Sequence, residues 1–334
     1  MPRVRLPIET LYNGILAGKR NFLAKAITLV ESALDSDREL AMQLIEKITP
    51  HCGNSFRIGV TGVPGVGKST FIESFGNFIL EEETNQVAVL AVDPSSGVSG
   101  GSILGDKTRM ETLANHPRAY VRPSASAGHF GGVAARTRET ILLCEAAGFN
   151  HIIIETVGVG QSETTITHLA DFFLLLMLSN SGDELQGIKR GITEMCDALV
   201  INKADGDELI RAQQAANEYR QALHYFRRST SDWIPEVTIC SALEKTGLDM
   251  IKLTLDKFLN QVMASGFFEH NRLKQSQYWF EKELNNYIQH ELFKRGEIRN
   301  AVEKAKEESL IMQQDPGVLA FKTALNIFQQ KKNN

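Results

Sequence analysis

Apolar positions fall in two different rhythms along this chain. From residue 1 to about 54 they recur every three or four places. Phe22, Leu23, Ala26, Ile27, Val30 and Leu34 mark one face of a helix. Ser36-Asp37-Arg38-Glu39 has the form of a capping box, so a second helix is expected behind it, carrying Leu40, Leu44, Ile45 and Ile48. From 55 to about 265 the rhythm changes to short apolar runs separated by amphipathic stretches. The runs predict strands at 56–61, 87–92, 119–122, 151–155, 172–178, 198–202 and 236–240, and the stretches predict helices at 69–82, 105–115, 133–147, 206–227 and 247–264. Several runs are apolar throughout, as suits strands covered on both faces of a parallel sheet. The alternation defines an α/β fold with a doubly wound, mostly parallel sheet. Beyond about 266, Gln, Lys, Glu and Asn become frequent. Leu273, Tyr278, Trp279, Phe280, Leu284, Ile288 and Leu292 there predict an amphipathic helix that packs either on the core or on another subunit. The expected plan is a helical extension (1–54), an α/β domain (55–265) and a helical C-terminal region (266–334) with a frayed end.

Bulk properties narrow the classes. The chain has 334 residues and a net charge of -4, with 43 % hydrophobic and 23 % charged residues. That balance fits a globular protein and gives no pull toward nucleic acid or an anionic membrane. The most apolar run, Phe172 to Leu178, is too short to span a bilayer, and the N-terminus lacks a signal-peptide core, so a cytoplasmic protein is expected. Cys52, Cys144, Cys196 and Cys240 form no Cys-x-x-Cys pair and read as buried thiols.

The most specific chemistry lies at 62–70. Gly62-Val63-Pro64-Gly65-Val66-Gly67-Lys68-Ser69-Thr70 follows an apolar strand and opens a helix. This is the spacing of a phosphate-binding loop. The glycines let backbone N–H groups close around phosphates, and the helix N-terminus adds a field that favours anions. Lys68 can reach the terminal phosphates, and the Ser69 hydroxyl is placed for Mg²⁺. The run lacks the Gly-x-Gly-x-x-Gly spacing of a dinucleotide loop.

A second layer of motifs supports a guanine nucleotide. Asn202-Lys203-Ala204-Asp205 follows the strand at 198–202. The Asp205 carboxylate can accept from the ring N–H and exocyclic amine of guanine, a donor pair that adenine lacks. Ser241-Ala242-Leu243, after the next strand, resembles the element whose backbone N–H meets the guanine carbonyl. Glu155 ends the strand at 151–155, where a carboxylate can hold Mg²⁺. Gly158 can offer its N–H to the terminal phosphate. The next residue is Val159, so the usual water-orienting Gln is missing and slow unaided hydrolysis is expected. Asp93 closes the second strand, and Asp106 follows a glycine-rich stretch; each reads either as a cap or as a further carboxylate at the site. The glycine-punctuated loop 179–191 carries Gln186 and Lys189. His129, without a Cys/His cluster near it, reads as a loop histidine.

Together, Gly62–Thr70, Val92-Asp93-Pro94-Ser95-Ser96, Gly100 through Met110, Glu155 through Glu163 and Asn202–Asp205 resemble the MeaB/ArgK-type P-loop GTPases of the metallochaperone group. The resemblance spans about 55–265. It implies a P-loop GTPase domain that binds GTP/GDP and Mg²⁺, and a chaperone of adenosylcobalamin-dependent acyl-CoA mutases, chiefly methylmalonyl-CoA mutase. It implies Lys68 and Ser69 on phosphate and metal, and Asp93, Asp106 and Glu155 as the acidic set around the metal. It also implies Asp205 as the guanine reader and Gly158, Gln161, Gln186 and Lys189 as switch positions. Family members are usually homodimers held by C-terminal helices, which favours the subunit role for 266–334. Competing expectations are a kinase acting on a transport-system binding protein, a nickel-delivery GTPase and a non-hydrolysing binding module.

Overall fold

The computed structural model describes residues 5–32, 34–92, 110–122, 132–156, 166–179, 195–223, 231–309 and 315–329. Three helices come first: α1 (Ile8–Leu16), α2 (Arg20–Val30) and α3 (Asp35–Ile48). Leu11, Ile15, Leu23, Ile27, Leu44 and Ile48 form their buried faces. The α/β region then runs β1 (Phe56–Gly62), α4 (Lys68–Ile79), β2 (Val87–Val92), α5 (Glu111–Asn115), β3 (Ala119–Arg122), α6 (Gly132–Ala146), β4 (His151–Thr156), β5 (Phe172–Met177), β6 (Ala198–Ile201), α7 (Glu208–Leu223), β7 (Glu236–Ile239) and α8 (Leu248–Ala264). Three helices follow: α9 (Phe267–Lys294), α10 (Gly296–Ser309) and α11 (Pro316–Gln329).

All seven strands pair in parallel, in the order β3-β2-β4-β1-β5-β6-β7. The doubly wound α/β fold read from the apolar runs is the fold observed. Its cause is visible in β5, where Phe172 to Met177 are all buried and every side chain meets a covering layer. On one face, Phe71 stacks on Phe75 at 5.3 Å, and Phe258 meets Phe172 and Trp233 edge-on at 4.9 and 5.3 Å. α2 and α3 pack on α6, and Arg122 pairs with Glu31, tying the N-terminal helices to β3.

Two boundaries differ from expectation. The capping box at Ser36–Glu39 does not form. α3 begins at Asp35 after Leu34, and no side chain caps it. Asp37 is instead drawn into the interior, where it accepts from Arg5 Nε at 2.8 Å and from the Ser32 hydroxyl. A buried carboxylate gains more from a guanidinium than an exposed helix start gains from a cap. The helix predicted at 105–115 is described only as α5, residues 105–109 lying outside the described residues, and the one predicted at 206–227 is described as α7.

Contacts group the chain into two units, Met1–Tyr278 and Trp279–Asn334. In the second, α10 packs against α11. Among the described residues no helix is long and apolar enough to cross a membrane.

His151 opens β4 with its ring against Asn150 Oδ1 at 3.0 Å. Burial, reinforced by Lys252, pushes its pKa down from 6.5 to about 4, against the smaller pull of Glu82 and Asp256. The folded state therefore holds a neutral ring where the unfolded chain takes a proton. Stability is expected to fall as pH drops from 6.5 toward 4, and His151→Gln should flatten that segment of a urea-melt series. An unchanged slope in the variant would assign the loss to other groups.

Candidate functional site

The site lies at the carboxyl ends of the central strands. The loop between β1 and α4 is anchored by Val63 and Val66, both buried, while Pro64 and Gly65 face solvent. Its glycines are required by space and by backbone. A Cβ on Gly62 would sit 2.5 Å from Leu176 O. Gly65 and Gly67 have φ of +79° and +90°, in the left-handed region, and a Cβ on Gly67 would lie 3.0 Å from Asn202 Nδ2. Gly67 directly precedes α4, so the helix's free N–H groups open toward the loop.

Lys68 curls back over the loop and donates to Gly62 O at 2.8 Å and Val63 O at 3.3 Å. Burial lowers its pKa, and the nearby Glu155 carboxylate partly restores it. Because β1 and β4 are neighbours, with Val60 opposite Glu155, the acid is carried to the start of α4. The Ser69 hydroxyl donates to Glu155 Oε1 at 3.3 Å, and Glu155 is only 5 % exposed. Thr156 and Thr61 share a hydrogen bond at 2.8 Å behind this pair.

The second half of the site is built from the ends of β6 and β7. Asn202 Nδ2 donates to Val66 O at 2.9 Å, and its Oδ1 accepts from Ala242 N at 3.1 Å and the Cys240 thiol at 3.4 Å. One buried amide thus joins the glycine loop to the 241–243 loop. Lys203, at φ +61°, donates to Gly65 O at 2.8 Å. Asp205 Oδ2 accepts from the Ser241 hydroxyl at 2.5 Å, which fixes the carboxylate beside the loop. Ser241 Oγ also accepts from Glu244 N at 3.1 Å, and Ser241 and Thr246 exchange backbone bonds at 3.1 Å. Leu243 is 77 % exposed at the tip.

The structure thus brings together Gly62 to Thr70 and Glu155, with Asn202 and Lys203 bonded to the loop, Ala242 bonded to Asn202, and Asp205 bonded to Ser241 beside it. Asp93, Asp106, Gly158, Gln161, Gln186 and Lys189 lie outside the described residues, as does His129. Two contributors escaped the sequence reading. Ser74 donates to Ala242 O at 2.6 Å from the buried face of α4. Its signal was a lone hydroxyl at helical spacing among Phe71, Ile72 and Phe75. Cys240, read only as a buried thiol, is held neutral by burial, its pKa pushed up to about 12, and so serves Asn202 as a donor.

These residues fit a nucleotide with its magnesium ion. The loop offers main-chain donors where side chains would collide, and a hydroxyl and a carboxylate converge beside the P-loop lysine. Fold and site together define a P-loop nucleotide-binding protein. A family model described as methylmalonyl-CoA mutase-associated GTPase MeaB matches residues 23–297, and the chain belongs to that family of GTP-hydrolysing enzymes. It is 49 % identical over 276 residues to GTPase ArgK of Escherichia coli (strain K12), covering 83 % of each chain. It is 46 % identical over 282 residues to the mitochondrial methylmalonic aciduria type A homolog of Mus musculus, covering 81 % of this chain and 68 % of that one. A crystal structure of a LAO/AO transport system kinase matches with a TM-score of 0.76 and 36 % identity, over 97 % of this chain and 99 % of the other.

Proposed function

We propose that the protein is a GTP-driven chaperone that gates adenosylcobalamin delivery to an acyl-CoA mutase, methylmalonyl-CoA mutase first among candidates, and protects that mutase. The observation that carries the nucleotide chemistry is the Ser69–Glu155 contact beside the loop lysine. The mutase assignment is supported by membership of a mutase-associated family.

In this reading the main-chain N–H groups of 62–70 take the phosphates. Lys68 exchanges its bonds to Gly62 O and Val63 O for bonds to the terminal phosphates, at little cost because it is already oriented and partly desolvated. Ser69 and Glu155 would hold Mg²⁺, with Asp93 and Asp106 as proposed further carboxylates; the ion would supply positive charge against the negative charge that develops on the phosphates. Asp205, steadied by Ser241, reads guanine, and the backbone of the 241–243 loop is proposed to meet the ring carbonyl. Gly158, Gln161, Gln186 and Lys189 are proposed switch positions. Val159 stands where a water-orienting Gln is usual, so we expect slow turnover alone and a partner that completes the site. The C-terminal region from 266 is proposed to form a homodimer, a role supported by exposed Leu273, Phe280, Leu284 and Ile288 on α9.

The test is co-purification with candidate cobalamin mutases in GDP and in a non-hydrolysable GTP analogue, followed by turnover with and without the captured mutase. The expected result is nucleotide-dependent capture and a rate rise, up to roughly 10³–10⁵ where the partner supplies the missing group. Equal affinity in both nucleotide states would end the proposal, since only differential affinity can drive a switch. Similarity to the LAO/AO transport system kinase favours a second reading as a protein kinase. Label from γ-phosphate appearing on a transport-system binding protein, rather than as free phosphate, would select it.

A further inference from the structure

The segment that re-enters β5 is not held by the sheet alone. Ile166 to Asp171 forms a turn closed by Leu169 N and Ala170 N donating to Ile166 O at 2.9 and 2.8 Å. Ile166 and Ala170 press on β1 at Gly59, where a Cβ would lie 3.0 Å from Ile166 Cδ1 and 3.1 Å from Ala170 Cβ. Along the chain the turn comes after β4, the strand that carries Glu155.

The first turns of α9 grip its carbonyl end. Gln275 Nε2 donates to Thr167 O at 3.1 Å and to Ala170 O at 2.7 Å. Arg272 binds both Asp171 oxygens, Nε at 2.8 Å and one terminal nitrogen at 2.7 Å, and also reaches Gly53 O and Ser55 O. The Tyr278 ring lies flat on His168, with centroids 3.6 Å apart and planes 10° from parallel. These residues are spaced by three along the helix, so one face of α9 makes all the contacts. Arg272 and Asp171 alone would anchor the helix. Gln275 adds something different: it is 5 % exposed, and its Oε1 is buried with no hydrogen-bond partner among the described residues. Native interiors rarely leave such an acceptor unmet, so this one calls for a structural reason.

We propose that Gln275 and Tyr278 couple the nucleotide state of the site to α9 through the Ile166–Asp171 turn, which packs on β1 just before the glycine loop, with Arg272 as the fixed pivot. In one state Gln275 holds the Thr167 and Ala170 carbonyls. In the other the turn rotates, a backbone N–H of the turn reaches Gln275 Oε1, and His168 carries Tyr278 with it. Arg272 stays bonded to Asp171, so the helix pivots without detaching. This inference rests on the GTP-driven cycle proposed above.

The chain has two tryptophans, and one of them, Trp279, directly follows Tyr278. The other, Trp233, is buried with its indole N–H on Asp197 O at 2.8 Å and serves as an internal reference. The full-length protein labelled with 5-fluorotryptophan would give two ¹⁹F resonances, assigned with Trp233→Phe. Calorimetry first establishes GDP and GTP-analogue binding. The Trp279 resonance is expected to shift between the two nucleotides while the Trp233 resonance holds still. Gln275→Leu and Tyr278→Ala should lose the shift with nucleotide affinity retained, and Tyr278→Phe, which keeps the ring, should keep it. A merely structural role for these residues would lower the melting temperature and leave the shift intact. No shift in the parent protein, or a shift that survives both Gln275→Leu and Tyr278→Ala, overturns the proposal. Should Gln275→Leu not fold, the Tyr278→Ala and Tyr278→Phe pair decides. Absence of heat from either nucleotide would instead remove the GTP cycle itself, and this inference with it.

Discussion

Asp205→Asn is expected to weaken guanine-nucleotide binding by about 10²–10⁴ while raising affinity for xanthine nucleotides. Two charge-assisted hydrogen bonds to the purine edge are worth about 3–6 kcal/mol, and an amide presents an N–H where the base also presents one. Xanthine carries a carbonyl at that place, so the new donor finds an acceptor. The structure makes the substitution a clean one. Asp205 is held at 2.5 Å by the Ser241 hydroxyl, and the amide oxygen of Asn can accept the same bond. The loop should keep its shape while its base preference changes. Competition binding with GDP and xanthosine diphosphate measures both effects. An unchanged preference for guanine would reject Asp205 as the reader and move attention to the 241–243 backbone.

Glu145→Ala is expected to cost about 3–5 kcal/mol of stability, the usual consequence of breaking a buried ion pair from one side. Glu145 lies at the end of α6 with its side chain 1 % exposed. It accepts from Gly53 N at 2.9 Å, the Ser55 hydroxyl at 2.5 Å and Arg57 Nε at 2.9 Å. Asp171 and Arg272 lie beside it, so two carboxylates and two guanidiniums close the amino end of the central strands. Truncation leaves the Arg57 guanidinium, an N–H and a hydroxyl without their acceptor. Burial alone would raise the Glu145 pKa, but Arg57, Ser55 and the Gly53 N–H outweigh it and hold the carboxyl below its ordinary value of 4.5. The contribution is therefore complete above that value and is lost as pH falls through the lower folded value. Thermal melts should show a large drop for the variant at neutral pH and convergence with the parent in strong acid. A drop confined to a degree or two would mean that water replaces the carboxylate there.

Much of the architecture could be read before any coordinates. Strands such as Ile152–Ile154 and Phe172–Met177 betray themselves because a strand covered on both faces has no reason to alternate. The glycine loop is legible for a different reason: few sequences satisfy left-handed backbone, a bare Cα and a following lysine at once. What stayed hidden depends on partners far apart along the chain. Arg57 and Glu145 are separated by 88 positions, and Arg272 and Ser55 by 217. No local pattern marks them, since each alone looks like an ordinary surface charge. Asp37 shows the opposite failure, where a convincing local signal lost to a remote guanidinium. Cys240 and Ser74 were invisible because their value lies in a single bond to a neighbour that only the fold supplies.

Asn202 has a consequence for how this molecule divides its labour. By pinning Val66 O and the Ala242 N–H with one side chain, it welds the glycine loop to the 241–243 loop. Strands β5, β6 and β7 lie on that side of β1, whereas β4, β2 and β3 lie on the other. The junction of the two loops is therefore braced, and it is expected to look alike with two phosphates or three. A distinction between substrate and product is then expected to begin beside Glu155, on the opposite half.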